Sequence, residues 1–253
     1  MSLQQTRPWE AARNETVWGK KWSPALAQID DLTLTAPVFG EIEERFRQIA
    51  ARCLDMTSQA GSQSIAVSSA TAGEGKTTVS IGIASAAARN LGSDVLIVET
   101  NLRSPQLAED FRIDANLGLA DYLSGEVALE PVIQPTRMEN VWLLPAGRPS
   151  ANPGPLLRSK TFQELLRNLH EAYATIIIDA PPLLTSPHAA VIARQAEAVL
   201  LVARAGHTHI QDAAQALKAV GDVPVRGIVL NGTREWLPGW MSRFLGVSRF
   251  AIE

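Results

Sequence analysis

The chain has 253 residues, 46% of them hydrophobic and 19% charged, which suits one large α/β domain or two small ones and excludes disorder as its overall character. A net charge of -3 leaves no overall electrostatic footprint for nucleic acid, and a single cysteine, Cys53, excludes an intrachain disulfide framework and fits a reducing compartment. The first twenty residues mix Arg7, Glu10, Arg13 and Glu15 with two tryptophans and hold no apolar run, so no secretory signal is expected, and the apolar runs elsewhere are too short to span a bilayer.

Residues 1–38 are polar, carry Trp9, Trp18 and Trp22, and are punctuated by Pro8, Pro24 and Pro37; they read as an N-terminal arm. A helix is expected over 38–54, broken at Gly61–Ser64. A short β-branched strand follows over 64–69. The Ala-rich stretch 76–91 predicts a helix whose Gly82 packs closely on a sheet. The near-continuous apolar run 94–100 predicts a strand covered on both faces. Further strands are expected over 141–146, 174–179, 198–203 and 225–230. Helices are expected over 156–173, with Phe162, Leu165, Leu166 and Leu169 on one side, and over 210–220. Thr208 and Gln211 have the spacing of a capping box at the start of the latter. The last segment sets Trp236, Leu237, Trp240, Met241, Phe244 and Leu245 at helical spacing. Alternating strands and helices predict an α/β fold, a mostly parallel sheet with helices on both faces and a ligand site at the carboxyl ends of the strands. The expected division is an arm over 1–38, a domain over 39–234 and an aromatic C-terminal segment over 235–253.

The strongest chemical signal is Ser68-Ser69-Ala70-Thr71-Ala72-Gly73-Glu74-Gly75-Lys76-Thr77-Thr78, placed between a strand and a helix. Helix N-terminal amides favour anions, so the segment reads as a phosphate loop of the P-loop NTPase kind. Gly73 and Gly75 let backbone N–H groups turn inward. Lys76 is expected to reach the β- and γ-phosphates of ATP, and the Thr77 hydroxyl to hold Mg²⁺. Gly73, Glu74, Gly75, Lys76, Thr77 and Thr78 form the expected nucleotide-binding segment. The pattern's usual first glycine is Ala70 here. Downstream, Val95–Val98 leads into Glu99-Thr100-Asn101-Leu102-Arg103, and Ile176–Ile178 into Asp179-Ala180-Pro181-Pro182. A carboxylate ending an apolar strand beside such a loop orders the Mg²⁺ shell, a role that Asp179 fits.

These three elements resemble the bacterial tyrosine kinases of capsule and exopolysaccharide assembly, relatives of the cell-division and chromosome-partition ATPases. The resemblance includes Leu117-Gly118-Leu119-Ala120-Asp121-Tyr122-Leu123-Ser124-Gly125, Leu144-Pro145-Ala146-Gly147, Asn152-Pro153 with Leu156, Leu157 and Ser159, and Gly227-Ile228-Val229-Leu230-Asn231. It implies Mg-ATP at the loop, attack by a tyrosine hydroxyl on the γ-phosphate, and work with a membrane-embedded chain-length (co-polymerase) partner. It also implies a cytoplasmic protein recruited to the inner face of the plasma membrane by that partner, protein substrates bearing tyrosine, and a homo-oligomer. Lys76, Arg103 and Asp179 are then the catalytic candidates, Thr77, Glu99 and Asp179 the metal candidates. Asn231 is expected near the adenine or as a strand-ending turn residue.

The sequence also departs from the family. Its second motif ends in Asp-x-Asp, where this chain has Glu99 and Asn101, and a neutral amide cannot accept a proton. His188 stands where another Asp is frequent. In the helix over 38–54, Glu44 and Arg47 keep part of a subunit-joining Glu-x-x-Arg-x-x-Arg pattern, with Ala50 last, and read equally as a solvated face. His207 and His209 read as loop residues before a helix. The terminal segment lacks the family's tyrosine cluster: the two tyrosines are Tyr122 and Tyr173, the second expected to be packed. Three functions compete: a tyrosine kinase acting on other proteins, a catalytically impaired ATP-responsive regulator, and a positioning ATPase of the chromosome-partition type. The last usually carries an extra Lys early in its loop, where this chain has Thr71.

Overall fold

The computed structural model describes residues 36–55 and 61–233. Residues 1–35 of the expected arm and the aromatic segment 235–253 lie outside the described residues. Helix α1 (Ala36–Cys53) leads to strand β1 (Gln63–Ser69), then α2 (Lys76–Leu91) and β2 (Val95–Glu99). Two short helices follow, α3 (Leu107–Phe111) and α4 (Leu119–Leu123), then a 3₁₀ turn at Glu130–Val132. The short strand β3 (Gln134–Pro135) pairs with β4 (Val141–Leu144). After α5 (Gly154–Leu157) and α6 (Lys160–Ala172) come β5 (Thr175–Asp179), α7 (Ala189–Ala193), β6 (Ala198–Arg204), α8 (Ile210–Val220) and β7 (Val225–Asn231).

The strands form one seven-stranded sheet in the order β3-β4-β2-β5-β1-β6-β7. All neighbours are parallel except β3, which runs antiparallel to β4. Side chains alternate across this sheet, so each strand feeds two cores. Ile65, Ile177 and Ile97 lie side by side on β1, β5 and β2 and pack toward α1, α2 and α3. They are 1% exposed or less, and burial of each contributes about 1.5–3 kcal/mol. Ala66, Ile176, Ile178, Leu96 and Val98 face the other way, toward α4 through α8. Both faces are covered, which explains the near-continuous apolar strands.

The expected parallel sheet between helical layers is present. Three local readings change. The helix expected over 156–173 is two helices, because Ser159 leaves helical geometry and its side chain accepts from the Phe162 N–H as the cap of α6. Gly82 faces the Phe46 ring of α1, where a β-carbon would collide, so its small size serves helix–helix packing rather than contact with the sheet. The expected capping box at α8 is absent: His209 is the cap residue, and the Thr208 hydroxyl donates to the Glu74 carboxylate instead. The Thr208 oxygen accepts from the Arg204 N–H at 2.7 Å rather than from the first turn of α8. Tyr173 is packed as expected, 4% exposed, and burial pushes its hydroxyl pKa well up.

Candidate nucleotide site

The carboxyl end of β1 runs into the phosphate loop beside its neighbours β5 and β6. Gly73 and Gly75 take left-handed backbone angles, φ +80° and +93°. At Gly75 a β-carbon would also run into the Asn231 side-chain amide, so glycine is required there twice over. The loop is held from outside. Glu74, 1% exposed, accepts from the Thr71 N–H (3.1 Å) and hydroxyl (3.0 Å) and from the Thr208 hydroxyl. Arg204 at the end of β6 donates to the Gly73 carbonyl at 3.2 Å. Asn231 at the end of β7 donates its side-chain Nδ2 to the Glu74 carbonyl at 3.0 Å.

With the carbonyls tied back, the amides are left over. Among the described residues, no acceptor is paired with the backbone N–H of Gly73, Glu74, Gly75, Lys76, Thr77 or Thr78. Unpaired amides at the start of a sixteen-residue helix are the arrangement that binds phosphate oxygens.

Asp179 lies on the adjacent strand, its side chain 2% exposed, and is fully engaged. Its Oδ2 pairs with the Lys76 ammonium at 3.2 Å and accepts from the Thr77 hydroxyl at 3.1 Å. Its Oδ1 accepts from the Ser80 hydroxyl at 3.0 Å, a proton for which the Lys76 carbonyl, also at 3.0 Å, is the neutral competitor. Lys76 also donates to Thr77 Oγ1 at 3.1 Å. A carboxylate and a hydroxyl side by side, with a lysine and unpaired amides at hand, fit a triphosphate and a hard, oxygen-seeking cation such as Mg²⁺. Thr77 and Asp179 are the oxygen donors that lie beside Lys76 and could hold such an ion.

The two carboxylates ending β2 and β5 are in register, Glu99 opposite Asp179, and have different partners. Glu99 Oε1 accepts from the N–H groups of Gln106 (2.6 Å) and Leu107 (2.8 Å), and Oε2 from that of Ala146 (3.1 Å). Burial raises its pKa, those three amides pull it back, and the charge of Asp179 raises it further. Its carboxylate therefore closes the start of α3 against the end of β4, while Thr77 and Asp179 form the cluster around Lys76. Asn101 donates to the Ser104 carbonyl at 2.7 Å and closes a turn. Arg103, on that turn, is exposed and makes no ion pair or hydrogen bond among the described residues.

Three contributors escape motif reading: Ser80, Arg204 and Thr208. Ser80 lies one helical turn beyond Lys76 and Thr77, so the i, i+3, i+4 spacing on one face of α2 is its only signal. Arg204 and Thr208 carry none, since they reach the loop only because β6 lies beside β1.

The AAA domain family matches residues 62–226. Tyrosine-protein kinase CpsD of Streptococcus pneumoniae serotype 4 is 36% identical over 171 residues, covering 66% of this chain and 74% of that protein. The kinase domain of the Escherichia coli tyrosine kinase ETK superposes with a TM-score of 0.70 at 24% identity, covering 90% of each chain, which is a likeness of fold. The septum site-determining protein MinD of Pyrococcus horikoshii, solved with Mg-ADP, superposes with a TM-score of 0.58 at 27% identity over 73% of this chain and 77% of its own. A phosphate loop of unpaired amides, a lysine–aspartate pair at its mouth and these likenesses agree: the chain belongs to the bacterial tyrosine-protein kinase family of P-loop ATPases.

Proposed function

We propose that this chain is the ATP-binding, tyrosine-kinase-like component of a polysaccharide or capsule assembly system. The observation that carries the reading is the convergence of six unpaired amides with Lys76, Thr77 and Asp179. The amides and Lys76 bind and orient the phosphates of ATP. Mg²⁺, when bound, neutralises charge on the β- and γ-phosphate oxygens. Thr77 and Asp179 hold that ion, with Ser80 fixing the carboxylate. Asn231 borders the loop on the nucleoside side. Arg103 supplies a further positive charge beside the transferring group. A tyrosine hydroxyl then attacks the terminal phosphorus, the bond to the ADP oxygen breaks to release ADP, and the tyrosine becomes a phosphate ester as its proton passes to solvent water. The acceptor lies on another protein, because Tyr173 is buried and Tyr122 packs against the core.

The rest of the proposal follows the family resemblance. The chain acts in the cytoplasm, at the inner face of the plasma membrane, through a membrane-embedded chain-length partner, and copies of it associate. Among the described residues no helix is long and apolar enough to cross a membrane. The arm over 1–38, the ATP-binding domain over 39–234 and the aromatic segment over 235–253 form its three parts.

A second reading, a catalytically impaired regulator that responds to ATP, is favoured by one observation. Asn101 is a neutral amide already bonded to Ser104, and Glu99 is bonded to three amides, so Asp179 is the one motif carboxylate in the Lys76 cluster. Against a positioning ATPase stands Thr71, whose N–H and hydroxyl both bind Glu74.

The deciding experiment incubates the purified chain with labelled Mg-ATP and a tyrosine-bearing acceptor protein, and measures phosphotyrosine and free phosphate. Phosphotyrosine formed by the wild type and absent with Lys76→Met supports the kinase. Nucleotide binding without transfer, unchanged in Asn101→Asp, supports the regulator. Absence of nucleotide binding overturns both.

A further inference from the structure

A second cationic cluster lies outside the Lys76–Asp179 pair and is built from three separate segments. Arg103 follows β2, Arg158 sits between α5 and α6, and His188 follows β5. The backbone holds them together: the Ser150 N–H donates to the Leu102 carbonyl at 2.8 Å, which draws the loop leading to α5 against the Arg103 turn. Gly154 is buried beneath the cluster. A β-carbon there would stand 3.1 Å from His188 Nε2 and 3.2 Å from an Arg158 Nη. The same point is 2.6 Å from His188 Cε1, so the imidazole edge and the guanidinium lie side by side over Gly154, and the missing β-carbon is what lets them approach the backbone. The charges of Arg158 and Arg103 both reach the ring and, after burial, lower the pKa of His188.

Among the described residues, none of these three side chains has a protein partner. Neither guanidinium has an ion pair or hydrogen bond among the described residues. His188 Nδ1 is sealed from solvent without a partner. A buried N–H without an acceptor is costlier than a buried lone pair without a donor, so the proton of the neutral ring belongs on Nε2. That makes Nε2–H a third donor beside the two guanidinium forks. Two donors that meet over Gly154, with the Arg103 charge near enough to act on the ring and no carboxylate bound to either guanidinium among the described residues, match a phosphate dianion.

The sheet order gives the site its direction. Asn231 and Arg204 border the phosphate loop from β7 and β6, on one side of β1. Arg103 and His188 follow β2 and β5, on the other side. If the nucleoside lies toward Asn231, the cluster lies beyond the terminal phosphate, where an acceptor enters.

We propose that Arg158, His188 and Arg103 form an acceptor-side site for a phosphate monoester dianion, the group that phosphotyrosine presents. The placement on the acceptor side rests on the kinase reading; the phosphate chemistry does not. The site holds the phosphorylated side chain after transfer, or a phosphotyrosine already present on the acceptor protein.

The test titrates phenyl phosphate into the full chain with and without saturating Mg-ADP, using isothermal calorimetry at two salt concentrations. Wild type is expected to bind, more weakly at high salt. Arg158→Gln, a change at an exposed side chain, is expected to weaken phenyl phosphate ~10- to 100-fold, the loss expected for a charge-assisted contact, with Mg-ADP affinity unchanged. Arg158→Lys is expected to fall between them, since it keeps charge but not the fork. The proposal is overturned if wild type ignores millimolar phenyl phosphate, if Arg158→Gln binds it as wild type does, or if benzoate binds equally. It is also overturned if the variant loses Mg-ADP affinity while keeping phenyl phosphate, which would assign the cations to the nucleotide. Should the chain bind no nucleotide, the kinase reading fails, and the nucleotide-free titration still decides the phosphate site.

Discussion

Replacing Ser80 by alanine isolates the part of the site that no motif contains. The Ser80 hydroxyl is the one hydrogen-bond partner of Asp179 Oδ1 among the described residues, at 3.0 Å, while Lys76 and Thr77 both act on Oδ2. Alanine leaves Oδ1 of a carboxylate only 2% exposed without a donor. A hydrogen bond to a charged group contributes about 1.5–3 kcal/mol, and the upper half applies where the acceptor cannot reach water. For a domain of this size each kcal/mol moves the melting temperature by about 2–4 °C, so Ser80→Ala is expected to melt roughly 5–12 °C lower. The lost bond also frees the carboxylate to rotate, so the gain in nucleotide affinity on adding Mg²⁺ should shrink while Mg²⁺-free affinity stays near wild type. Thermal unfolding and fluorescent-nucleotide titration measure the two effects. A cycle with Asp179→Asn should give a coupling of about 1 kcal/mol or more. An unchanged melting temperature with zero coupling would refute the assignment of Ser80 as the anchor of Asp179.

Gly75→Ala places a β-carbon at φ +93° and against the Asn231 amide. The backbone cost is about 1–2 kcal/mol, and nucleotide binding is expected to disappear while circular dichroism still reports a folded protein; retained binding would contradict the cradle. Thr208→Val removes the hydroxyl that donates to Glu74 and accepts from the Arg204 N–H at 2.7 Å. A loss of about 1–3 kcal/mol in urea unfolding is expected, with weaker nucleotide binding although Thr208 lies outside every motif. Glu99 has a folded pKa above its ordinary value, so between the unfolded and folded pKa values the folded chain binds more protons, and the Glu99 contribution to stability falls as pH rises through that window. Glu99→Gln removes this titration but turns an NH₂ or a weaker oxygen toward amide donors. The stability of wild type minus that of Glu99→Gln should therefore decline from about pH 4 upward, and a flat or rising difference in urea unfolding would contradict the assignment.

What could be read in the sequence is what is contiguous or periodic in it. The phosphate loop is one run of eleven residues, and the strand before it and the helix after it are set by local pattern. Asp179 was legible because it ends a strand of β-branched residues. Contacts that depend on which strands become neighbours were not. Thr208 has the spacing of a capping residue, and its reassignment depends on a carboxylate 134 positions away. Ser159 has the side chain of a cap but sits inside a periodic apolar pattern, and the pattern masks the break between α5 and α6. The convergence of Arg158 and His188 is invisible in one dimension, because only the close approach permitted by Gly154 brings them together.

Glu99 and Asn101, where the family resemblance implies Asp-x-Asp, act together. Glu99 and Asp179 are paired residues on adjacent parallel strands, with side chains on the same face. Had both carboxylates turned to the loop, two like charges would share a site already holding one lysine, and the repulsion would require a cation. The longer Glu99 side chain reaches the amides of Gln106, Leu107 and Ala146 instead, and joins α3 to the end of β4. That leaves one carboxylate matched to one lysine at 3.2 Å, a pair neutral without any ligand. Positioning and electrostatics, the larger part of phosphoryl-transfer catalysis, stay in place. Proton acceptance, worth ~10²- to 10⁴-fold, is the part that the neutral Asn101 cannot supply. The residues at positions 99 and 101 thus leave the Lys76–Thr77–Asp179 cluster intact and put an amide bonded to Ser104 where a carboxylate would accept a proton.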